Sequence, residues 1–312
     1  MKPTQKKFNA GIFFPALLCT LLWGSAFPCV KMGYQLFQIS SDATFQKLVF
    51  AGWRFSLAGL LVLITARVIG RQNIIPRREQ WGGVIVMALL QTGVQYALFY
   101  IAMSHTTGTR GSVITGSAVF FSVIGAHFLF KNDKMTKLKG IGCFIGFAGV
   151  ILINLNGAGT TEAGVHFMGE GLMLLSAICT GLAAPVCKRL TDNGLAPMMI
   201  TGWQMLLGGF MLLALGYCGG GSLTTITPQG IGLLTYMILL SAAAFSVWSI
   251  LLKKYSTSSV AVYNFLVPVF GTLLSGIILG EKVVSLRNFA SLVLVCAGIY
   301  FVNCRPKTAA VK

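Results

Sequence analysis

Inside its apolar runs, this 312-residue chain carries mostly neutral hydrogen-bonding side chains. Gln91 and Gln95, four residues apart, share one face of a helix, and Tyr96 and Tyr100 share the neighbouring face. Amides and phenols on an aromatic wall suit a small polar or zwitterionic solute held by hydrogen bonds. The plainer alternative has the glutamines bonding between helices and Tyr100 in an interfacial belt. Phe245 and Trp248 would form an opposing wall that supplies stacking. Trp23, Phe27, Ser117 and Asn264 complete the candidate cavity.

Proline supplies a second kind of chemistry, the release of a backbone acceptor. Pro28 and Pro185 lack an N–H, so the carbonyls of Gly24 and Gly181, four residues back, lose their helical partners. In an apolar medium each carbonyl must be satisfied by a neighbour, water or solute. Gly24 with Pro28 and Gly181 with Pro185 are therefore candidate hinges, the alternatives being static kinks or helix ends. Pro268 frees the carbonyl of Asn264 beside that residue's own amide, a pairing that favours cavity lining over a lipid-facing amide. Arg54, within the second apolar run, and Lys31, capping the first, are expected to snorkel to the outer headgroups. Attraction of a carboxylate-bearing solute is the sharper alternative. His127 could shuttle protons or simply hydrogen-bond a neighbour.

The acidic residues inform by their placement. All seven (Asp42, Glu79, Asp133, Glu162, Glu170, Asp192, Glu281) fall in loops or at helix ends, so coupling through a buried carboxylate is disfavoured. An intramembrane enzyme acting on a lipid-linked substrate would need clustered carboxylates or histidines, and His105, His127 and His166 lie on different segments. No GxxxxGK[ST] loop is present to bind nucleotide phosphates. The eight cysteines contain no CxxC pair, which argues against a zinc site or disulfide framework. No catalytic residue, cofactor or metal is expected. A channel or a non-transporting accessory bundle remains an alternative class.

The elements that position these groups must span a membrane. The chain is 55% hydrophobic and only 10% charged, with a mean hydropathy of +0.78, whereas a soluble domain needs about a quarter charged residues. Apolar runs centre on residues 11–30, 47–69, 82–102, 110–130, 138–155, 168–187, 198–218, 230–252, 259–280 and 286–303, each near the length of a membrane helix. Of the 24 basic residues, 18 fall on one side of the alternating loops and five on the other, with Arg54 inside a run. The positive-inside rule then places both termini in the cytoplasm of a plasma-membrane protein. The net charge of +17 reports that topology rather than a nucleic-acid partner. The partners expected are a small-molecule solute and the lipid bilayer, with the chain a monomer or a homodimer.

An internal repeat runs through these helices. GSAFPCVK, with Gly24, Pro28 and Lys31, has the spacing of GLAAPVCK, with Gly181, Pro185 and Lys188, 157 residues later. Trp53-Arg54 then faces Trp203-Gln204 at an offset of 150. Ala148-Gly149-Val150 faces Ala297-Gly298-Ile299 at 149, and Asn132-Asp133-Lys134 faces Gly280-Glu281-Lys282 at 148. Five helices per unit is an odd number, so the second copy must enter the membrane inverted, as in many secondary transporters.

WGSAF followed by Pro28 and Lys31, the LGEK of residues 279–282 after Pro268, and the GV and GI pairs of the fifth and tenth runs resemble the drug/metabolite transporter superfamily, EamA type. The resemblance covers about residues 11–303. Phe120 stands where a counterpart of Pro268 is usual, Asn132-Asp133-Lys134 replaces a Gly-Glu-Lys ending, and Thr180 replaces a tryptophan like Trp23. The resemblance implies an all-α integral membrane protein of ten transmembrane helices, in two inverted five-helix repeats (1–157 and 158–312) around a central cavity. It also implies alternating-access transport of amino acids, other small metabolites or drug-like solutes, as an exporter or an exchanger.

Overall fold

The computed structural model describes residues 10–40, 42–105, 114–154, 167–279 and 286–304. The N-terminal lysines, Arg110, Glu162 to His166, Glu281-Lys282 and the basic tail lie outside these residues. Among the described residues every regular element is helical. The first stretch holds α1 (Ala10–Leu36), α2 (Thr44–Val68), α3 (Trp81–Ala88) and α4 (Val94–His105), the last two joined by a wide π-type turn at Leu89–Gly93. After these come α5 (Ala118–Leu129), α6 (Lys137–Asn154), α7 (Leu172–Asp192), α8 (Pro197–Cys218) and α9 (Pro228–Lys254). A short α10 (Thr257–Ala261), α11 (Leu266–Leu279) and α12 (Leu286–Asn303) complete the set.

Six stretches are long and apolar enough to cross a membrane: Gly11–Leu36, Thr44–Val68, Arg78–Met103, Phe167–Asp192, Pro197–Cys218 and Pro228–Lys254. Shorter apolar helices cover Ile114–Leu129, Thr257–Gly271 and Phe289–Asn303. Two expected runs are interrupted. Run 259–280 contains a 3-10 turn at Val262–Phe265, because Pro268 removes the N–H that would close on Asn264 and the backbone tightens upstream. Run 110–130 breaks at Ser117, whose hydroxyl donates back to the carbonyl of Ile114, a local bond that competes with the helix.

Large apolar side chains cover the outside. Phe14, Phe128, Phe144, Phe210, Ile277 and Phe289 are each more than half exposed. Such a surface would drive association in water and fits hydrocarbon. The interior is set by pairwise crossings. α2 packs most extensively on α8, and α6 on α12. α1 crosses α11 and α9, while α7 crosses α5 and α4. The α6–α12 crossing is close because Gly146 faces Gly298, where a Cβ would lie 2.6 Å from the Gly146 Cα.

Proline does not end either candidate hinge helix: α1 runs through Pro15 and Pro28, and α7 through Pro185. At the loop between α5 and α6, buried Asp133 pairs with Lys139 and accepts the Ser258 N–H at 3.0 Å, tying that loop to the start of α10.

Candidate solute cavity

Two apolar clusters fill the two ends of the bundle. One gathers Ile12, Cys187, Leu195, Leu252 and Val302; the other gathers Phe37, Leu48, Phe50 and Met237. Trp23 touches both, and its ring meets Phe245 of the second cluster at 5.1 Å and Trp248 of the first at 5.0 Å, edge to face in each case. Over this aromatic trio lies a cavity of about 420 Å³. That is a volume for a ligand of modest size.

Of the side chains expected from sequence, Trp23, Phe27, Gln91, Gln95, Tyr96, Phe245, Trp248 and Asn264 line the cavity together, and Pro268 joins them. Gln91 reaches it from the π-type turn and Asn264 from the 3-10 turn, so irregular backbone sits where it borders the cavity. Ser117 is not in the lining; its neighbours Thr115, Gly116 and Ala118 are. Gly24, Pro28, Gly181 and Pro185 also lie outside it. His127 lies away from the cavity, with its Nδ1 accepting the Met135 N–H at 2.9 Å.

Gln95 both borders the cavity and joins two helices. Its amide donates to Ser176 Oγ at 3.2 Å, and that hydroxyl donates to the Gln95 carbonyl at 3.1 Å, joining α4 to α7. Tyr96 stacks on Phe55 with ring centroids 4.2 Å apart. Two buried donors at the wall have no partner among the described residues: Trp23 Nε1 and the Tyr34 hydroxyl. A donor left dry and unpaired costs about 1–3 kcal/mol, a cost a bound solute or water would remove.

Arg54 requires a correction. Snorkelling would leave it at the headgroups, yet it is only 2% exposed and lines the cavity. α2 packs against α8 and α9, and Ser241 of α9 holds the Arg54 guanidinium inside the bundle. The guanidinium lies 4.8 Å over the Phe55 ring, and its Nε donates to Ser241 Oγ at 2.8 Å. Ser241 in turn donates to the Met237 carbonyl at 2.8 Å. Cation–π contact with a desolvated ring contributes about 2 kcal/mol, against a desolvation cost of several kcal/mol for the charge.

Lys47 is a lining residue that sequence reasoning missed. It is 3% exposed, with its Nζ 5.5 Å from the Tyr34 ring centre. The signal was present, since Lys47 and Arg54 are seven apart and so share one face of a helix. Lys31, the exposed member of the lining, marks the mouth. No acidic side chain lines the cavity among the described residues.

The chain matches the model of the EamA-like transporter family twice, over residues 10–155 and 167–304. It is similar to an uncharacterized transporter of Archaeoglobus fulgidus, 28% identical over 296 residues, covering 92% of this chain and 96% of that protein. A protein of Salmonella typhimurium named a probable amino-acid metabolite efflux pump is 27% identical over 299 residues, covering 92% and 93% of the two chains. The uncharacterized transporter YvbV of Bacillus subtilis is 27% identical, covering 92% and 90%. One solved crystal structure shares the fold with a TM-score of 0.74 at 14% identity, covering 94% of this chain and 96% of that chain.

Proposed function

The chain belongs to the EamA-like transporter family, a family of multi-pass membrane transporters and not enzymes, and from that premise we propose that it is a secondary carrier of small metabolites. It works by alternating access as an exporter or an exchanger, in the plasma membrane with both termini cytoplasmic. The observation that carries this reading is the one-sided cavity. Its mouth is at Lys31, its floor is Trp23, Phe245 and Trp248, and the cluster around Ile12, Leu252 and Val302 closes the opposite end. By the charge count, that mouth faces outward.

Ten helices in two inverted halves, 1–157 and 158–312, account for the packing. Exchanging the halves turns the α1–α11 crossing into α7–α5 and the α1–α9 crossing into α7–α4, while α2–α8 and α6–α12 map onto themselves. The tandem family match supports the same division. Opening the other end then amounts to exchanging the roles of the halves, with α1 and α7 bending near Pro28 and Pro185. The printed name of the Salmonella relative favours an amino acid or a similar metabolite as the solute class.

Counterflow in proteoliposomes tests the proposal. Vesicles loaded with unlabelled solute should accumulate the labelled form transiently above equilibrium, saturably. Flux that rises linearly with concentration and shows no counterflow would make the protein a channel.

A further inference from the structure

Every formal charge in the cavity wall among the described residues is positive. Arg54 lies deep in the wall, Lys47 is buried nearer the start of α2, and Lys31 is at the mouth. The described acidic groups are elsewhere: Asp133 pairs with Lys139, Asp192 with Lys188, Glu79 and Glu170 lie in the turns at Arg78–Gln80 and Phe167–Gly171 outside the lining, and Asp42 is exposed and acts on Lys47 from outside it. A guanidinium carries five N–H donors. Ser241 takes the one on Nε, and the Tyr100 hydroxyl interacts with the group from the cavity wall. The donors that remain form the fork that matches a carboxylate.

Much of the rest of the wall is aromatic. Trp23, Phe245 and Trp248 form the floor, and Phe27 with Phe99, ring centres 6.3 Å apart, forms a side. Trp23 Nε1 adds an unpartnered donor, and among the described residues the wall offers no carboxylate to receive an ammonium. We infer that the cavity selects a small organic anion, a carboxylate joined to a flat apolar body, and discriminates against the same body carrying an ammonium group. The inference rests on the carrier reading for its location, and it replaces the amino-acid class that the Salmonella relative's name favours with an organic anion. It also separates this chain from an amino-acid carrier, because a zwitterion brings a positive group into a wall that is already cationic.

The repeat supplies a control substitution. Gln204 stands where the second half has its counterpart of Arg54, is 2% exposed, and accepts from the Thr92 hydroxyl at 2.9 Å, where Arg54 donates to Ser241. Thr92 and Ser241 are themselves 149 residues apart. Arg54→Gln therefore places at this position a residue type the fold already buries beside a hydroxyl, and removes the charge while its amide can still donate to Ser241.

Three probes share one ring and differ in charge: 3-phenylpropionate, phenylalanine and phenethylamine. Binding to the purified protein is read by calorimetry and transport by counterflow. 3-Phenylpropionate should bind at least tenfold more tightly than phenylalanine, with phenethylamine weaker still. Arg54→Gln should weaken 3-phenylpropionate at least tenfold, Arg54→Lys should retain most of the binding, and Lys31→Gln, at an exposed site, should weaken it by a smaller factor. Phenylalanine binding as tightly as 3-phenylpropionate, or Arg54→Gln leaving affinity unchanged in folded protein, would overturn the inference. Counterflow of a neutral or zwitterionic solute without binding of 3-phenylpropionate would also overturn it while leaving the carrier intact. Charge-selective binding with no flux of any probe would support the anion site and count against the carrier.

Discussion

Ser122 donates a 2.8 Å hydrogen bond to the carbonyl of Gly181, the acceptor that Pro185 deprives of its helical partner. Gly181 permits this approach, since a Cβ there would stand 2.5 Å from the Phe121 Cβ and 2.6 Å from the Ala118 carbonyl oxygen. In the first half Gly24 meets Phe270 and Gly271 in the same way, 149 residues beyond Phe121 and Ser122. The place of Ser122 is thus taken by a glycine without a hydroxyl. Among the described residues, the two proline-bearing helices are equivalent in packing and unequal in hydrogen bonding.

Ser122→Ala should lower stability by about 1 kcal/mol, because a buried carbonyl loses its donor. In a Pro185→Ala background the alanine N–H can satisfy that carbonyl, so the Ser122→Ala penalty should shrink. A double-mutant cycle on thermal unfolding in detergent reads the difference, and additive penalties would contradict the account.

Gly24→Ala should destabilise by about 1–3 kcal/mol, since its Cβ would lie 2.6 Å from the Phe270 Cβ and 2.9 Å from the Gly271 nitrogen, atoms that cannot swing aside. The same unfolding measurement checks this, and a neutral substitution would mean the α1–α11 crossing is looser than described.

Trp23→Phe keeps a ring in the floor and removes the unpartnered Nε1 donor. Stability of the solute-free protein should change little, because removing an unpaired donor offsets the contacts the smaller ring loses against Phe245 and Trp248, while solute affinity should fall about tenfold, the worth of roughly 1.4 kcal/mol. Unchanged affinity would show that the indole nitrogen does not meet the solute.

Pro28→Ala and Pro185→Ala should slow exchange and shift the balance of facing states in opposite directions, because each restores a backbone bond in one helix only. With native cysteines replaced, modification of a cysteine introduced at Thr180 in the cavity wall reports the shift. Shifts of the same sign would make both prolines static features.

Native cysteines test the orientation. Cys218 is exposed at the end of α8 and Cys304 follows α12. An impermeant maleimide applied to intact cells should label Cys218 and spare Cys304; the reverse pattern would invert the topology.

Much of the architecture is legible one segment at a time. The apolar runs follow from the length a bilayer demands, and the repeat from matched Gly-to-Pro spacing and the paired Trp53-Arg54 and Trp203-Gln204. Broken helices at Pro268 and Ser117 were only half legible. A missing N–H can be read from the chain, but the short-range bond that replaces the helical one depends on local geometry.

Residue chemistry alone makes this chain a multi-span membrane protein, with its polar groups on few faces and its acids in loops or at helix ends, because burial in hydrocarbon penalises each residue according to its own chemistry. Only the tertiary structure decided which faces those groups share. Arg54 reads as a cation at the headgroups until the packing around α2 buries it, and Ser117 reads as a cavity hydroxyl although it is Thr115, Gly116 and Ala118 that border the cavity. Gln95 is at once lining and interhelical bond because Ser176 comes to it from a helix 81 residues away. Rotation of one helix against another is set by the summed packing of both, and no single segment contains that sum.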